Sequence, residues 1–439
     1  MTTLPFVMPD PFSFKKRVLA HRVPSFPLQI GSQPAATDYY QTQFLQPTGE
    51  NGKHAYCGGF IRDRPLVFPV STPALNMQLE VSMAIAQGIT GFCLDIQGLN
   101  DTSVALMLAA AAAVDPRFWC VLTPDMNALG PTLTQDQMVA LVATYSDPTK
   151  YPNIARLPDN RMLLNPYDAP LKPLSWWQGV ISTLNSKNID VALVPVLPGD
   201  AASNPLASIS HGWADWGTAT LAAAQARTPC LMMPILAQQF RPDDLEFWEA
   251  GNFDCFVASW MKAIASTITD FAMLVTWNDF SESSQHQPFT DSSQAPNIGN
   301  GFYQLNGYFG AWFLSGTQPQ IIKDALFYCY RKMPSTALRN VTAQPQPFKL
   351  VQPGTETDQI EVLAFLVTPA TVLINGVPTD CPAGITPVKA PTAPGNPVIA
   401  LQRDGSDVFR GTCPVPIYGS AGSPAGTLDL TYWSGVLHG

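Results

Sequence analysis

The sequence has few charged residues and no concentrated positive charge. Asp, Glu, Lys and Arg together make up 13% of its 439 residues, and the formal net charge is −9. The largest basic cluster is only Lys15-Lys16-Arg17. Because an acidic protein repels phosphate backbones, we expect no nucleic-acid partner. Hydrophobic residues reach 46%, which argues against a disordered chain and predicts a compact globular protein.

Long apolar runs and a recognisable export signal are also absent from the sequence. No uninterrupted apolar segment reaches the about 20 residues that a membrane-spanning helix needs, and the Ala-rich run 104–114 fits a buried helix. Residues 1–16 contain Pro5, Pro9 and Pro11 and lack a charged start before an apolar core, so they do not resemble a signal peptide. The sequence therefore predicts no membrane partner and leaves the oligomeric state unknown.

The sequence also lacks the motifs that are typical of metal sites, nucleotide-binding sites and acyl-transfer enzymes. None of the eight cysteines forms a Cys-x-x-Cys pair, so a structural metal is not expected. The sequence has no Gly-x-Gly-x-x-Gly or Walker-type loop and no Gly-x-Ser-x-Gly elbow, so we expect no cofactor. Cys381 and Cys413 lie in one region and could form a disulfide, which the sequence does not decide.

The most informative stretch is residues 271–284. Residues 271–276 are almost wholly apolar, which is typical of a strand buried on both faces of a parallel sheet. The polar segment that follows contains Asp279 and Glu282, three residues apart, at the end of a strand where a parallel barrel carries its chemistry. Two carboxylates in unlike surroundings can divide general acid and general base roles. The alternative is a capping box, in which Asp279 caps a helix and Glu282 is its partner.

Alternating strand and helix patterns over residues 17–333 predict an α/β fold with a (β/α)₈ TIM-type barrel. The predicted strands end in polar residues that could line one cleft: His21, Asp95, Asp125 and the pair Asn165 and Tyr167. His21 could equally be a buried structural histidine, and Asp95 a solvated strand end. In residues 208–218, Trp213 and Trp216 could stack on sugar rings, although we expect one of them to belong to the core.

The chain changes character after about residue 340. Residues 310–332 are predicted to form the last helix of the barrel, and Pro345 and Pro347 then mark a linker. Short strand-like runs follow, with the hairpin signal Asn375-Gly376 between two of them. The sequence therefore predicts two domains, a barrel over residues 1–340 and a small all-β sandwich over residues 341–439.

The resemblance to a known family begins in the carboxylate segment. Residues 277–283 read Trp-Asn-Asp-Phe-Ser-Glu-Ser and resemble the Trp-Asn-Asp-(aromatic)-(small)-Glu-Ser signature of glycoside hydrolase family 71, the α-1,3-glucanases or mutanases. The related family 99 endo-α-mannosidases carry two Glu at the same spacing. Other parts of the chain resemble family 71 as well. They are the Ala-His strand end at His21, the strand 89–96, Asp125, the Gly-Trp-x-x-Trp-Gly segment and the β domain. The insertion 27–72 departs from the pattern and leaves one cleft wall undefined.

The resemblance implies an α-1,3-glucan hydrolase, endo-acting and inverting, that needs no cofactor and binds a polysaccharide or oligosaccharide. Glu282 is expected to be the acid and Asp279 the base. The residues expected to bind substrate are Asp95, Asp125, His21, Trp213, Trp216, Trp277, Asn278 and Tyr167. A polymeric substrate favours an extracellular location, although no signal peptide is visible. The rival interpretations are a hydrolase of another α-linked glycan, endo-mannosidase-like for example, and a carbohydrate-binding protein without catalysis.

Overall fold

The computed structural model describes residues 4–24, 63–66, 72–197, 203–291, 297–342, 344–351, 357–419 and 428–439. Most of the predicted insertion 27–72, including Tyr39, Tyr40 and Tyr56, lies outside these residues. Within the described ranges, no helix is long and apolar enough to cross a membrane.

Strands outnumber helices in the described chain. The strands are β1 (Arg17–Arg22), β2 (Asp63–Pro65), β3 (Gly91–Ile96), β4 (Trp119–Pro124), β5 (Met162–Leu164), β6 (Val191–Leu193), β7 (Met232–Leu236), β8 (Gln239–Arg241), β9 (Glu246–Trp248), β10 (Phe271–Val275), β11 (Phe289–Asp291), β12 (Ile298–Gly299), β13 (Ala325–Arg331), β14 (Lys349–Leu350), β15 (Gln359–Leu366), β16 (Ala370–Ile374), β17 (Val377–Cys381), β18 (Gly384–Pro391), β19 (Val398–Arg403), β20 (Ser406–Thr412) and β21 (Tyr432–His438). The α-helices are α1 (Pro73–Ile85), α2 (Thr102–Val114), α3 (Met126–Leu129), α4 (Gln135–Thr144), α5 (Leu174–Ser186), α6 (Leu221–Ala226), α7 (Asp254–Ala265) and α8 (Gly301–Ser315).

A curled parallel sheet forms the first half of the fold. Its strand order is β6-β5-β4-β3-β1-β10-β7, and every pairing in it is parallel. The strands β3, β7 and β10 are buried along their whole length, as their largely apolar sequences predict for a sheet covered on both faces. Since parallel strands end at one edge, the polar residues that follow them are brought to a common edge of the sheet.

The sheet is a half-barrel, and the complete eight-stranded barrel predicted from the sequence is not confirmed. Between the two edge strands β6 and β7, the described residues contribute the bridge residue Ala214, which pairs in parallel with Val196 and Met232. The amide of Ala214 donates to the carbonyl of Pro195 at 2.9 Å. The neighbouring Gly212 and Gly217 disfavour an extended strand here, because glycine has no side chain to pack and loses more entropy on ordering.

The predicted closing helix over residues 310–332 is wrong in its boundaries. Helix α8 begins earlier, at Gly301, and ends at Ser315, because Gly316 adopts the left-handed conformation with φ +69° and its amide donates to Trp312. Residues Ala325–Arg331 then form strand β13, which is buried throughout. Aromatic and β-prone side chains favour this strand, whereas their continuous apolarity is compatible with either a helix or a strand.

The second half of the fold consists of two four-stranded antiparallel sheets with a shared apolar core. Their orders are β18-β15-β13-β21 and β17-β16-β19-β20. Asn375 and Gly376 make the predicted hairpin between β16 and β17. Cys381 and Cys413 are free thiols, so the possible disulfide is not formed. Strand β13 precedes residue 341 and pairs with β15 and β21, and the division of the chain at residue 341 stays a prediction.

Buried ion pairs join the two halves. The ammonium of Lys332, which follows β13, lies 2.6 Å from Asp291, 2.7 Å from Asp429 and 3.5 Å from Asp63. Burial is the main reason why the pKa of Asp63 rises to about 7. Strand β2, which carries Asp63 and belongs to the otherwise undescribed insertion, pairs with β11 directly after the carboxylate loop. Asp63–Pro65 therefore lie beside that loop.

Candidate active site

The carboxylate segment is a hydrogen-bonded loop at the end of β10. The amide of Thr276 donates to the carbonyl of Ser284 at 2.9 Å, and the amide of His286 donates to the carbonyl of Thr276 at 2.8 Å. These two hydrogen bonds close the loop at its base. The amide of Asp279 donates to the hydroxyl of Thr276 at 2.7 Å. No helix begins in this described segment, so the helix-capping interpretation of Asp279 and Glu282 is wrong. The loop instead holds both carboxylates at the carboxyl edge of the sheet.

Asp279 accepts its hydrogen bonds through one oxygen. Its Oδ1 receives the amide of Ser281 at 3.0 Å, the hydroxyl of Ser281 at 2.6 Å and the amide of Glu282 at 3.1 Å. Among the described residues, none donates to Oδ2. Burial and the charge of Glu282 raise the pKa of Asp279 to about 7, against the effect of these hydrogen bonds. At neutral pH, Asp279 therefore exists in both protonation states.

Glu282 has a different environment, in which each carboxylate oxygen has a partner. The amide nitrogen Nε2 of Gln239 donates to Oε2 at 3.0 Å, and Nε of Arg241 lies 3.2 Å from Oε1. The side chain of Glu282 is 23% exposed, so solvent still reaches it. The carboxylate of Glu282 therefore accepts one hydrogen bond from an amide group and pairs with one cation. The two carboxylates are thus adjacent along the chain and differ in their partners.

Three of the predicted polar residues meet beside Asp279. His21 is the second-last residue of β1, Asp95 is the second-last residue of β3, and Asp125 follows β4. The Nε2 atom of His21 lies 3.9 Å from Oδ1 of Asp95, and burial lowers the pKa of His21 to about 3, so its imidazole is neutral. Burial and the charges of Asp125 and Asp279 raise the pKa of Asp95 well above its usual range.

Some buried polar atoms of His21 and Asp95 have no hydrogen-bond partner in the described part of the protein. They are Nδ1 of His21 and Oδ1 of Asp95. Asp125 caps α3 through Oδ1, which accepts the amides of Asn127 at 2.8 Å and Ala128 at 3.0 Å. Buried polar atoms without partners are costly, and a ligand that carries hydroxyl groups satisfies them.

An aromatic wall stands next to His21. The ring of Trp216 lies edge-on to His21 at 4.6 Å and to Tyr167 at 4.7 Å between ring centroids. A cavity of about 370 Å³ opens over this wall and is lined by Tyr167, Asp168, Val196, Asp215, Trp216, Gly217 and Thr218. Trp213 is partly buried against the main core and does not line that cavity. Of the two tryptophans, Trp216 is therefore the one that faces the cavity.

The Trp216 segment is held by an ion pair that passes over a glycine. Arg227 lies 3.1 Å from Asp215, and its guanidinium occupies the place where a side chain at Gly217 would stand, 1.2 Å from an ideal Cβ. Gly217 also has φ +67°, a conformation that favours glycine. The loop therefore requires glycine at this position.

Two further residues that are predicted to bind substrate are buried. Trp277 is fully buried, packs 5.3 Å from Phe92 and holds the carbonyl of His21 through its own amide at 2.7 Å. Asn278 is also buried, and its side chain accepts from the amide of Val23 at 2.8 Å and donates to the carbonyl of Val23 at 2.9 Å. Both residues therefore connect the carboxylate loop to the end of β1.

Sequence analysis did not assign a role to Gln239 or Arg241, although the structure brings both to Glu282. They follow β7, an unbroken apolar strand, and polar residues directly after such a strand were the signal that identified Asp95 and Asp125. The same rule applied to β7 would have found them. Tyr167 is close to them too, since burial and the charges of Glu282 and Asp125 raise its pKa.

A parallel half-barrel with paired carboxylates, buried acceptors and an aromatic wall at its carboxyl edge defines a carbohydrate-active enzyme. Among the described residues, no group of three or more His, Cys, Asp or Glu is arranged to hold a metal ion. The family model of glycosyl hydrolase family 71 matches residues 72–422. The chain belongs to this family and is a glycoside hydrolase, as the sequence signature predicted.

Curated relatives agree with this assignment. The ascus wall endo-1,3-alpha-glucanase of Schizosaccharomyces pombe is 22% identical over 402 residues, which span 79% of this chain and 90% of that protein. The glucan endo-1,3-alpha-glucosidase agn1 of the same organism is 27% identical over 180 residues, or 38% of this chain and 41% of that protein.

Solved structures show the same fold. The family 99 endo-α-mannosidase from Bacteroides thetaiotaomicron, in complex with bis-tris propane, superposes with a TM-score of 0.52 at 12% identity over 70% of this chain and 98% of that chain. Another structure of that enzyme gives a TM-score of 0.50 at 14% identity, with the same coverage.

Replacing Trp216 by alanine tests the aromatic wall. We expect the KM for a soluble α-glucan oligosaccharide to rise about tenfold, equivalent to about 1.4 kcal/mol, because a stacking surface is lost. Trp213→Ala is the matched control and should lower the melting temperature while leaving KM nearly unchanged. Steady-state kinetics and thermal unfolding measure both effects. Equal KM changes in the two variants would show that Trp216 has no special part in binding.

Proposed function

We propose that this glycoside hydrolase cleaves α-1,3-linked glucan with Asp279 and Glu282 as its acid–base pair. The observation that carries the proposal is the unlike environment of the two carboxylates within one loop. Asp279 is partly buried with a pKa near 7, whereas Glu282 is paired with Arg241. Enzymes that cleave glycosidic bonds need one carboxyl group that is protonated and one that is ionised. The names of both curated relatives support the 1,3-α-glucan linkage.

The remaining polar residues fit substrate binding. His21 and Asp95 offer buried atoms without partners to sugar hydroxyls, and Asp125 adds a carboxylate beside them. Trp216 and Tyr167 offer aromatic surface over the cavity. Three other residues support this arrangement through packing and hydrogen bonds that fix the loops carrying the substrate-binding residues: Trp213, Trp277 and Asn278. Substrate contacts are therefore expected from the first group rather than from the second.

The environments favour Asp279 as the acid and Glu282 as the base, the reverse of the division expected from the sequence. A group with a pKa near 7 carries a proton under mildly acidic conditions and can give it to the glycosidic oxygen. A carboxylate with one amide donor and one cationic partner keeps lone pairs with which it can accept a proton from water. Substrate binding removes water from the cleft and strengthens both effects.

Conservative replacement of the carboxylates tests the proposal. Asp279→Asn and Glu282→Gln are each expected to reduce reducing-sugar release from insoluble α-1,3-glucan by about 10²–10⁴-fold, since each removes a proton-transfer group. Asp147→Asn, at an exposed position remote in the chain, is the matched control and should retain activity. Full activity in either active-site variant would contradict the assignment. Activity of the parent only on another α-linked glycan would overturn the linkage, and binding without cleavage would overturn catalysis.

The stereochemistry of the product is a separate prediction. An inverting enzyme places its two carboxyl groups about 6.5–9.5 Å apart, so that water fits between base and sugar, and it releases the opposite anomer. We expect the first product from an α-linked glucan oligosaccharide to be the β anomer. Proton NMR recorded before mutarotation measures it. An α anomer as first product would show retention and contradict the general-base role.

The pH dependence follows from the environment of Asp279. An acid with a pKa near 7 is protonated below that pH and loses its proton above it. We therefore expect kcat/KM to fall tenfold per pH unit well above pH 7. The slope and midpoint of this basic limb are measured on a soluble oligosaccharide. A plateau that extends beyond pH 9 would show that no acid with a pKa near 7 takes part.

A further inference from the structure

We propose that Gln239 and Arg241 are positioning residues that hold the carboxylate of Glu282 in place, act on it electrostatically and so assign it the role of base. The inference rests on the proposed function, since it deepens the acid–base division in the same site. Neither residue touches the bond to be cleaved in this proposal. They act through Glu282 alone.

The short strand β8 makes three contacts with Glu282. The side chain of Gln239 donates to Oε2 at 3.0 Å, and Nε of Arg241 lies 3.2 Å from Oε1. Between them, the backbone amide of Phe240 donates to the carbonyl oxygen of Glu282 at 2.8 Å. Every oxygen atom of Glu282 is thereby held by one of three consecutive residues.

The geometry of a β-strand explains how β8 makes these contacts with Glu282. Residues two apart in a strand project to the same face, so Gln239 and Arg241 both reach Glu282 while Phe240 projects away from it. Phe240 is buried in a separate apolar cluster, 4.7 Å from the ring of Phe348. Strand β8 is also paired with β9 in a three-stranded sheet. The two donors are thus fixed by a strand whose other face is anchored.

The amide group of Gln239 has a defined orientation. Its Oε1 accepts the backbone amide of Ala219 at 3.3 Å, which leaves the NH₂ group to face Glu282. A donor in this position favours the carboxylate over the neutral acid, because a protonated Glu282 would turn a hydrogen toward another donor. Gln239 therefore contributes to the charge state as well as to the position of Glu282.

Arg241 is shared among several negative groups. Its Nη2 lies 2.7 Å from Asp244, and the charges of Glu282, Asp244 and Asp279 raise its pKa although burial alone would lower it. Tyr167 and Asp279 are the other titratable groups that face Glu282. Arg241 also lowers the pKa of Asp279. Its charge therefore acts on both carboxylates, and Asp244 competes for it.

Removal of the charge provides the first test. In Arg241→Met, both limbs of the pH profile of kcat/KM should move to higher pH, by about one unit, because a nearby cation is lost. Arg241→Lys keeps the charge and should therefore show little of this shift. Gln239→Met should move the acidic limb in the same direction by a smaller amount. A role in folding alone would lower kcat/KM at every pH and leave the limbs in place.

The competing pair provides a test in the opposite direction. Asp244→Asn leaves the charge of Arg241 entirely to Glu282 and Asp279, so both limbs should move to lower pH. The matched control is Arg410→Met, which breaks an i,i+3 pair with Asp407 on β20. Arg410 and Asp407 are 43% and 36% exposed, close to the 37% of both Arg241 and Asp244. No shift is expected in the control.

An activity-independent measurement separates this inference from the proposed function. The chain has seven glutamates, so carboxyl ¹³C labelling of glutamate gives few signals, and Glu282→Gln identifies that of Glu282. Its titration midpoint should rise in Arg241→Met and fall in Asp244→Asn. Unchanged midpoints would contradict the action of Arg241 on Glu282 even if the parent cleaves α-1,3-glucan. Shifted midpoints without any glucan hydrolysis would support this action and contradict the proposed function instead.

Discussion

Burial of negative charge at the carboxyl edge of the parallel sheet is the constraint on which the site depends. Asp95, Asp125 and Asp279 end or follow adjacent parts of the sheet, and burial raises the pKa of each. Isolated charges cannot remain ionised in such a place without compensation, so they share protons, accept hydrogen bonds or pair with a cation. Arg241, from a strand outside the parallel sheet, is a cation that acts on Asp279 and pairs with Glu282. A neutral, hydroxyl-rich ligand suits these surroundings, because it satisfies acceptors without adding charge.

The same constraint explains why two carboxylates three residues apart behave differently. The loop turns so that Asp279 faces the sheet edge and gathers its hydrogen bonds on Oδ1, whereas Glu282 faces β8. Sequence spacing alone makes the two residues look interchangeable, and the expectation that Glu282 is the acid reflected that. The partners supplied by Gln239 and Arg241 remove the symmetry. In the proposed mechanism, the division of roles is therefore set by a strand that is distant from the loop in sequence.

How much could be predicted follows from which interactions are local. The apolar runs of β3 and β10 and the polar residues after them are readable because periodicity and strand ends are local features. The family signature added the class of enzyme. The single-residue bridge at Ala214 was not readable, because strand length depends on pairing with β6 and β7. The strand at Ala325–Arg331 was mistaken for helix, since a continuous apolar run carries no period. Trp277 and Trp216 have the same side chain, and only tertiary packing separates a core residue from a cavity wall.

The antiparallel half of the fold is structurally continuous with the active-site half. Arg331, at the end of β13, is fully buried and lies 3.0 Å from Glu249 and 3.4 Å from Asp358, on opposite sides of the junction. Lys332 joins Asp291, directly after the carboxylate loop region, to Asp429 near the C-terminus. Removal of one partner from a buried pair costs about 3–5 kcal/mol, because the remaining charge stays buried. Removal of the residues after 341 would deprive Arg331 of Asp358 and Lys332 of Asp429. It would also deprive β13 of its neighbouring strands β15 and β21. The site is therefore best studied in the whole chain, where the loop that carries Asp279 and Glu282 keeps the supports on which its geometry depends.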